Sequence, residues 1–113
     1  MITVLFKRSK SGVICSCSAE GHAGYSKKGY DIVCSAVTVL LKTTVQVLSN
    51  TFGIELKTDR LKPGSLSFEV FLKESNPILE AKLEYAGDFL ETGLESVRKE
   101  FPQCLKIVYT TVQ

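Results

Sequence analysis

Apolar and polar side chains alternate from Ile2 to Lys7, and an apolar-rich run resumes from Val13 to Ala19, with Ser9, Lys10, Ser11 and Gly12 between them. That pattern predicts two strands joined as a hairpin. Gly21 to Tyr30 holds three glycines, two lysines and two tyrosines without either periodicity, and predicts a mobile loop. From Asp31 to Asn50 the apolar residues Val33, Ala36, Val37, Leu40, Leu41, Val47 and Leu48 recur every three or four positions, the mark of a helix buried along one stripe. Asn50 and Gly53 stop it. Ile54 to Lys57 and Leu66 to Phe71 alternate as strands around a Pro63-Gly64 turn. Asn76 and Pro77 then open a second helix carrying Ile78, Leu79, Leu83, Ala86, Phe89, Leu90, Leu94 and Val97. Pro102 ends that helix, and Cys104 to Val112 contains a last strand with Leu105, Ile107 and Tyr109 on one side.

The order ββαββαβ predicts an α+β fold: two helices packed on one face of a mixed, mostly antiparallel sheet, which buries both apolar stripes. The 113 residues suffice for one domain, 1–113, and for one core. With 44% hydrophobic and 23% charged residues the chain reads as a soluble globular protein. Fourteen Lys and Arg are dispersed among twelve acids, a net charge of +2, so no basic stripe points to direct nucleic-acid binding. The six phenylalanines fall mostly at core-like positions, which argues the same way. The apolar run Ile32 to Leu41 is about half of the roughly 20 residues a spanning helix needs, so it predicts a core helix and no membrane partner. No export signal precedes it, since Lys7, Arg8 and Lys10 follow the first apolar run. The four cysteines, at 15, 17, 34 and 104, form neither a C-x-x-C pair nor a dense framework and fit a reducing cytoplasm. Cys15 and Cys17 alternate on a strand, so both are expected on one face as small buried hydrophobes, and Cys104 is expected to pack.

The candidate chemistry lies around the loop. His22, the only histidine, stands at its start, and Cys34 stands just past its end, in the first turn of the long helix. A helix N-terminus offers unpaired N–H groups and positive dipole, which stabilise a thiolate. Asp31 reads as the N-cap, with Ile32, Val33 and Cys34 at the first three helical positions, or as the group that orients His22. Cys34 is the expected nucleophile and His22 the proton donor and base, a chemistry that needs no cofactor and no metal. The N–H groups of Cys34 and Ser35 are the expected oxyanion donors. Gly24 and Gly29 bracket a loop able to move as a lid, and Tyr25 and Tyr30 lie within it.

The run Gly21-His22-Ala23, then Gly29-Tyr30-Asp31-Ile32-Val33-Cys34 opening a helix, resembles the signature of the ribosomal-processing cysteine protease (Prp) family, and the order of elements resembles that family over nearly the whole chain. The resemblance implies a Cys34–His22 dyad and hydrolysis of a peptide bond. It further implies that the substrate is the short N-terminal extension of a large-subunit ribosomal protein, cut after paired aromatics and before a small residue during ribosome assembly. A homodimer is implied as well. Ser35 stands where the family usually has alanine, and Thr38 where it usually has serine, so Asp31, Ser35 and Thr38 become supporting residues, and Gly21, Ala23, Gly24, Tyr25, Gly29 and Tyr30 the substrate loop.

Three rivals use the same residues. Cys15, Cys17, His22 and Cys34 are four potential zinc ligands, but their spacing is unlike paired-cysteine knuckles. Redox use of Cys34 lacks a resolving cysteine within a helical turn. A non-catalytic, ribosome-associated module that binds protein or RNA would need neither His22 nor Cys34.

Overall fold

A computed structural model of the chain describes residues 1–21, 29–59 and 64–112. Its elements run β1 (Ile2–Ser9), β2 (Ile14–Gly21), α1 (Tyr30–Ser49), β3 (Ile54–Asp59), β4 (Ser65–Leu72), α2 (Pro77–Glu100) and β5 (Leu105–Val112). The strands form one sheet in the order β3-β4-β2-β1-β5. Every pairing is antiparallel except β1 with β5, which is parallel, so the sheet is mixed as the pattern requires.

Alternation decides which face of the sheet is covered. Ile2, Val4 and Phe6 of β1 are buried while Leu5 between them is exposed. From β2 and β4, Ile14, Cys17, Ala19 and Phe68 join the buried side. Against them α1 sets Val33, Val37, Leu41, Thr44 and Leu48, and α2 sets Leu83, Gly87, Leu90 and Leu94. Thr44 is tolerated in this stripe because its hydroxyl donates to the Leu40 carbonyl at 2.8 Å. The start of α2 is built as its sequence reads: the Asn76 Oδ1 accepts from the N–H groups of Ile78 (2.9 Å) and Leu79 (3.2 Å), and Pro77 fills the first turn. Arg8 ties the hairpin to α2, donating to the Gly12 carbonyl at 2.7 Å and to Asp88 at 2.9 Å while its guanidinium lies over the Phe6 ring.

Several expectations are corrected. Val47 of α1, and Ile78 and Phe89 of α2, were read into the apolar stripes but stand in solvent. The buried stripes are narrower than the apolar pattern, because each helix meets the sheet and its neighbour through only part of its circumference. Of the six phenylalanines only Phe6 and Phe68 are buried, whereas Phe52, Phe71 and Phe89 are exposed. The dispersal of charge therefore carries the argument against RNA alone. Cys15 and Cys17 do not share a face. Arg8 pairs with Ile14 and Lys7 with Ser16, so Cys15 is the extra residue of a bulge and breaks the alternation. Cys17 points into the core, where burial pushes its thiol up to about 12, which leaves it an inert hydrophobe. Cys104 is buried as expected. Finally, α1 is longer than its uninterrupted apolar run: at 20 residues and a mean hydropathy of 1.7 it meets the length and apolarity of a spanning helix, although one stripe of it packs into this core.

Candidate active site

The loop that carries the signature leaves the sheet at the end of β2 and returns at the start of α1, so the fold brings its two ends together. The helix begins one residue before the expected cap. Gly29 is the N-cap residue, at φ +90°, and its carbonyl accepts from the Val33 N–H at 3.0 Å. Only glycine holds that left-handed conformation without strain, and no side chain there bonds the first turn. Asp31 is accordingly not the cap but the second helical residue, exposed, where its carboxylate still favours the positive end of the helix. The shift also corrects the oxyanion assignment. In an α-helix starting at Tyr30, the N–H groups of Cys34 and Ser35 pair with the carbonyls of Tyr30 and Asp31, and the first-turn donors left without an intrahelical acceptor include those of Asp31 and Ile32.

Cys34 is half-buried and lines a small cleft of about 100 Å³. The described walls of the cleft come from four elements: Ile2 of β1; Ala19 and Gly21 of β2; Val37, Thr38 and Leu41 of α1; and Ser65 and Leu66 of β4, with Gly64 preceding them. Gly21 and Cys34 therefore face one cleft, although thirteen positions separate them in sequence. Thr38, one turn beyond the thiol, lines it as well, whereas Ser35 is exposed on the helix. His22, Ala23, Gly24 and Tyr25 lie outside the described residues, and so do the proposed lid and any contact between Asp31 and His22.

Tyr30 is not a loop residue. It opens α1, and its hydroxyl comes back over the end of β2: a Cβ placed on Gly21 would lie 2.7 Å from the Tyr30 oxygen and 3.0 Å from Ile2 Cγ1. Burial raises the phenol's pKa, and the charges of Cys34 and Asp31 raise it further, so Tyr30 is a neutral donor at physiological pH. Gly21→Ala is expected to push aside the strand end to which His22 is bonded and to lower turnover about tenfold, since small misplacements of reacting groups cost up to roughly 100-fold. Adding Tyr30→Phe should recover part of that loss, because the ring carbon that bore the hydroxyl lies 3.7 Å from the new methyl, an ordinary contact, while the 3.0 Å approach to Ile2 stays. Steady-state rates of the two single variants and the double variant measure the effect; equal losses in Gly21→Ala and in the double variant would show that the two residues do not compete for space.

Gly29 is buttressed from a part of the chain that the sequence pattern did not connect to the site. A Cβ there would fall 2.7 and 2.8 Å from two carbons of the Phe101 ring, at the C-terminal end of α2. The cleft walls Ile2, Ala19 and Leu66 were likewise read only as strand residues. No local signal marks them, because their role comes from strand pairing between distant segments.

The fold and the cleft define a small two-layer α+β protein with a thiol held near the start of its first helix and facing the strand end that leads to the only histidine. The chain belongs to the cysteine protease Prp family, whose sequence profile matches residues 1–106. The ribosomal processing cysteine protease Prp of Bacillus subtilis is 24% identical over 107 residues, covering 95% of this chain and 96% of that protein. Among solved structures, the essential ribosomal processing protease Prp of S. aureus in complex with a substrate peptide superposes with a TM-score of 0.79 at 17% identity, covering 97% of this chain and all of that one. A Streptococcus mutans protein superposes with a TM-score of 0.75 at 25% identity, covering 99% of this chain and 96% of its own. The predicted α+β architecture is thus the architecture of this family.

Proposed function

We propose that this protein is a cytoplasmic, homodimeric cysteine endopeptidase that removes the N-terminal extension of a large-subunit ribosomal protein. Membership of a cysteine protease family supports the reaction. The B. subtilis relative is named for ribosomal processing, and the S. aureus relative has been crystallised with a substrate peptide and with a covalently linked product peptide, which supports the substrate class. The observation that carries the residue assignment is that Cys34 and Gly21, the neighbour of His22, line one cleft.

In this reading the Cys34 thiolate attacks the scissile carbonyl, and the tetrahedral oxyanion takes hydrogen bonds from nearby donors. The N–H groups of Asp31 and Ile32, which precede the first intrahelical bond of α1, are the nearest donors. His22 protonates the departing amine, the acyl group remains on Cys34, and His22 then removes a proton from the water that releases it. Cleavage of an extended ribosomal-protein peptide, read by mass, tests the proposal.

The homodimer has support in the exposed apolar side chains that cluster along α1 and α2. Val47, Ile78, Tyr85 and Phe89 line one groove between the helices and are all more than half exposed. A two-fold axis across that groove would bury the same patch on both copies. Phe89→Glu is expected to convert a dimer into a monomer in sedimentation velocity with little change in folding; an unchanged sedimentation coefficient would place the interface elsewhere. The four free cysteines fit a reducing compartment.

A further inference from the structure

Tyr30 stands one helical turn before Cys34 on α1, so the two side chains share a face. Helical side chains lean toward the N-terminus, which carries the thiol over the turn that Tyr30 opens and carries the Tyr30 ring beyond the helix toward the end of β2. The ring arrives on Gly21: its hydroxyl oxygen is the atom that a Cβ there would meet at 2.7 Å, and Ile2 closes the same spot at 3.0 Å. Neither side of this contact is loose. Gly21 is held in the sheet by its pairing with Ile2 and by its N–H, which donates to the Gly64 carbonyl at 3.0 Å. The start of α1 is seated through Gly29 on the Phe101 ring. The Phe101 carbonyl accepts from the N–H of Cys104 at 3.0 Å, and the Cys104 carbonyl from the N–H of Ile2 at 2.9 Å. The contacts therefore close a circuit, from Tyr30 through Gly21, Ile2, Cys104 and Phe101 back to Gly29 at the foot of the helix. Burial and then the charge of Cys34 raise the pKa of the phenol, so hydroxyl and thiol lie within electrostatic range of each other.

Taking Cys34 as the nucleophile and His22 as its base, as above, we propose that Tyr30 is a positioning residue for the reaction: its reach from helix to strand sets how far the end of β2, to which His22 is bonded, stands from the Cys34 thiol. The side chain works as a spacer. Its hydroxyl is the last atom of that spacer and takes no part in proton transfer. Because the helix start rests on Phe101 and the strand end is fixed by two backbone partners, a change in the length of residue 30 is passed to the separation of the two loop ends.

The test is steady-state cleavage of the extension peptide by wild type, Tyr30→Phe, Tyr30→Leu and the double variant Tyr30→Leu/Gly21→Ala, with the folded fraction of each fixed by thermal melting. Since a misplacement of about 1 Å costs up to roughly 100-fold, Tyr30→Leu, which removes the ring, is expected to lower kcat about 30-fold with KM within about threefold of wild type. Tyr30→Phe, shorter by one atom, should lower kcat by no more than about fivefold. Gly21→Ala is harmful in wild type because the span is already full; in the Tyr30→Leu background its methyl fills the shortened span, so it should restore part of the rate. A side chain that served stability alone would move the melting temperature and leave kcat of the folded fraction unchanged. Unchanged kcat, a loss borne by KM alone, a Tyr30→Phe rate as low as that of Tyr30→Leu, or a further loss on adding Gly21→Ala to Tyr30→Leu would each overturn the proposal. Alkylation of Cys34 by iodoacetamide, normalised to the rate in the denatured chain, repeats the comparison without a peptide. If wild type cuts no peptide while the normalised alkylation rate falls in Tyr30→Leu and recovers in the double variant, the spacing stands and the protease reading alone fails; an alkylation rate unmoved by Tyr30→Leu overturns the spacing as well.

Discussion

Cys34→Ala is expected to abolish peptide cleavage while leaving the fold intact. With Cys34 as the proposed nucleophile, its removal leaves only binding and any oxyanion stabilisation, and in well-studied hydrolases such a loss lowers turnover by up to roughly a million-fold; a fall on the order of 10,000-fold or more is expected here. The structural cost is small because Cys34 is only half-buried and lines an open cleft. Thermal melting should shift by no more than a few degrees. Cys34→Ser should be nearly as inactive, since a hydroxyl at neutral pH is a far weaker nucleophile than a thiolate. Cys15, Cys17 and Cys104 provide the controls, as two of them are buried in the core and the third sits in a strand bulge. If Cys15→Ala removed activity and Cys34→Ala did not, the site would have to be rebuilt around β2.

Gly29→Ala is expected to produce the largest loss of stability of any single change at the site. Two independent penalties meet there. The residue sits at φ +90°, where an L side chain costs about 1–2 kcal/mol. The added methyl would also press within 2.8 Å of the Phe101 ring, and overpacking of this kind costs about 1–3 kcal/mol. A combined loss of about 2–5 kcal/mol corresponds to a melting temperature lower by roughly 10–20 °C for a domain of this size. The penalties separate experimentally. Phe101→Leu, itself mildly destabilising, should relieve the contact but not the backbone strain, so Gly29→Ala should cost less in that background than in wild type. A drop below about 3 °C for Gly29→Ala alone would mean that the helix start adapts and that glycine is not needed there for its conformation.

The sequence carried the layout of the fold because its elements announce themselves locally. Alternation marked β1 and β2, the three- and four-residue spacing of Val33, Val37, Leu41 and Leu48 marked α1, and Asn76-Pro77 marked the start of α2 in its capping geometry. The helix start at the site was misread because Asp31 is a favourable capping residue, yet a glycine in the left-handed conformation two positions earlier took the cap instead. Narrow burial on the helices was not legible either: Phe89 and Val47 fit the apolar period, but which side of a stripe meets the sheet depends on how the layers cross. At the site, Cys34 and the segment bearing His22 were visible from their motif and spacing. The cleft that Cys34 lines was not, because Ile2, Ala19, Gly64 and Leu66 reach it only through the β1–β2 and β2–β4 pairings.

Incubating the reduced protein with an N-terminal ribosomal-protein peptide carrying two aromatics before alanine, and reading the products and the intact enzyme by mass, asks whether Cys34 cuts a peptide bond in such an extension. Wild type should give two fragments split at the aromatic–alanine junction and Cys34→Ala none, and under single-turnover conditions the enzyme mass should rise by the acyl fragment at Cys34. An intact peptide with the folded, reduced wild type, and equal peptide binding by wild type and Cys34→Ala, would overturn the protease assignment and identify the cleft as part of a binding module.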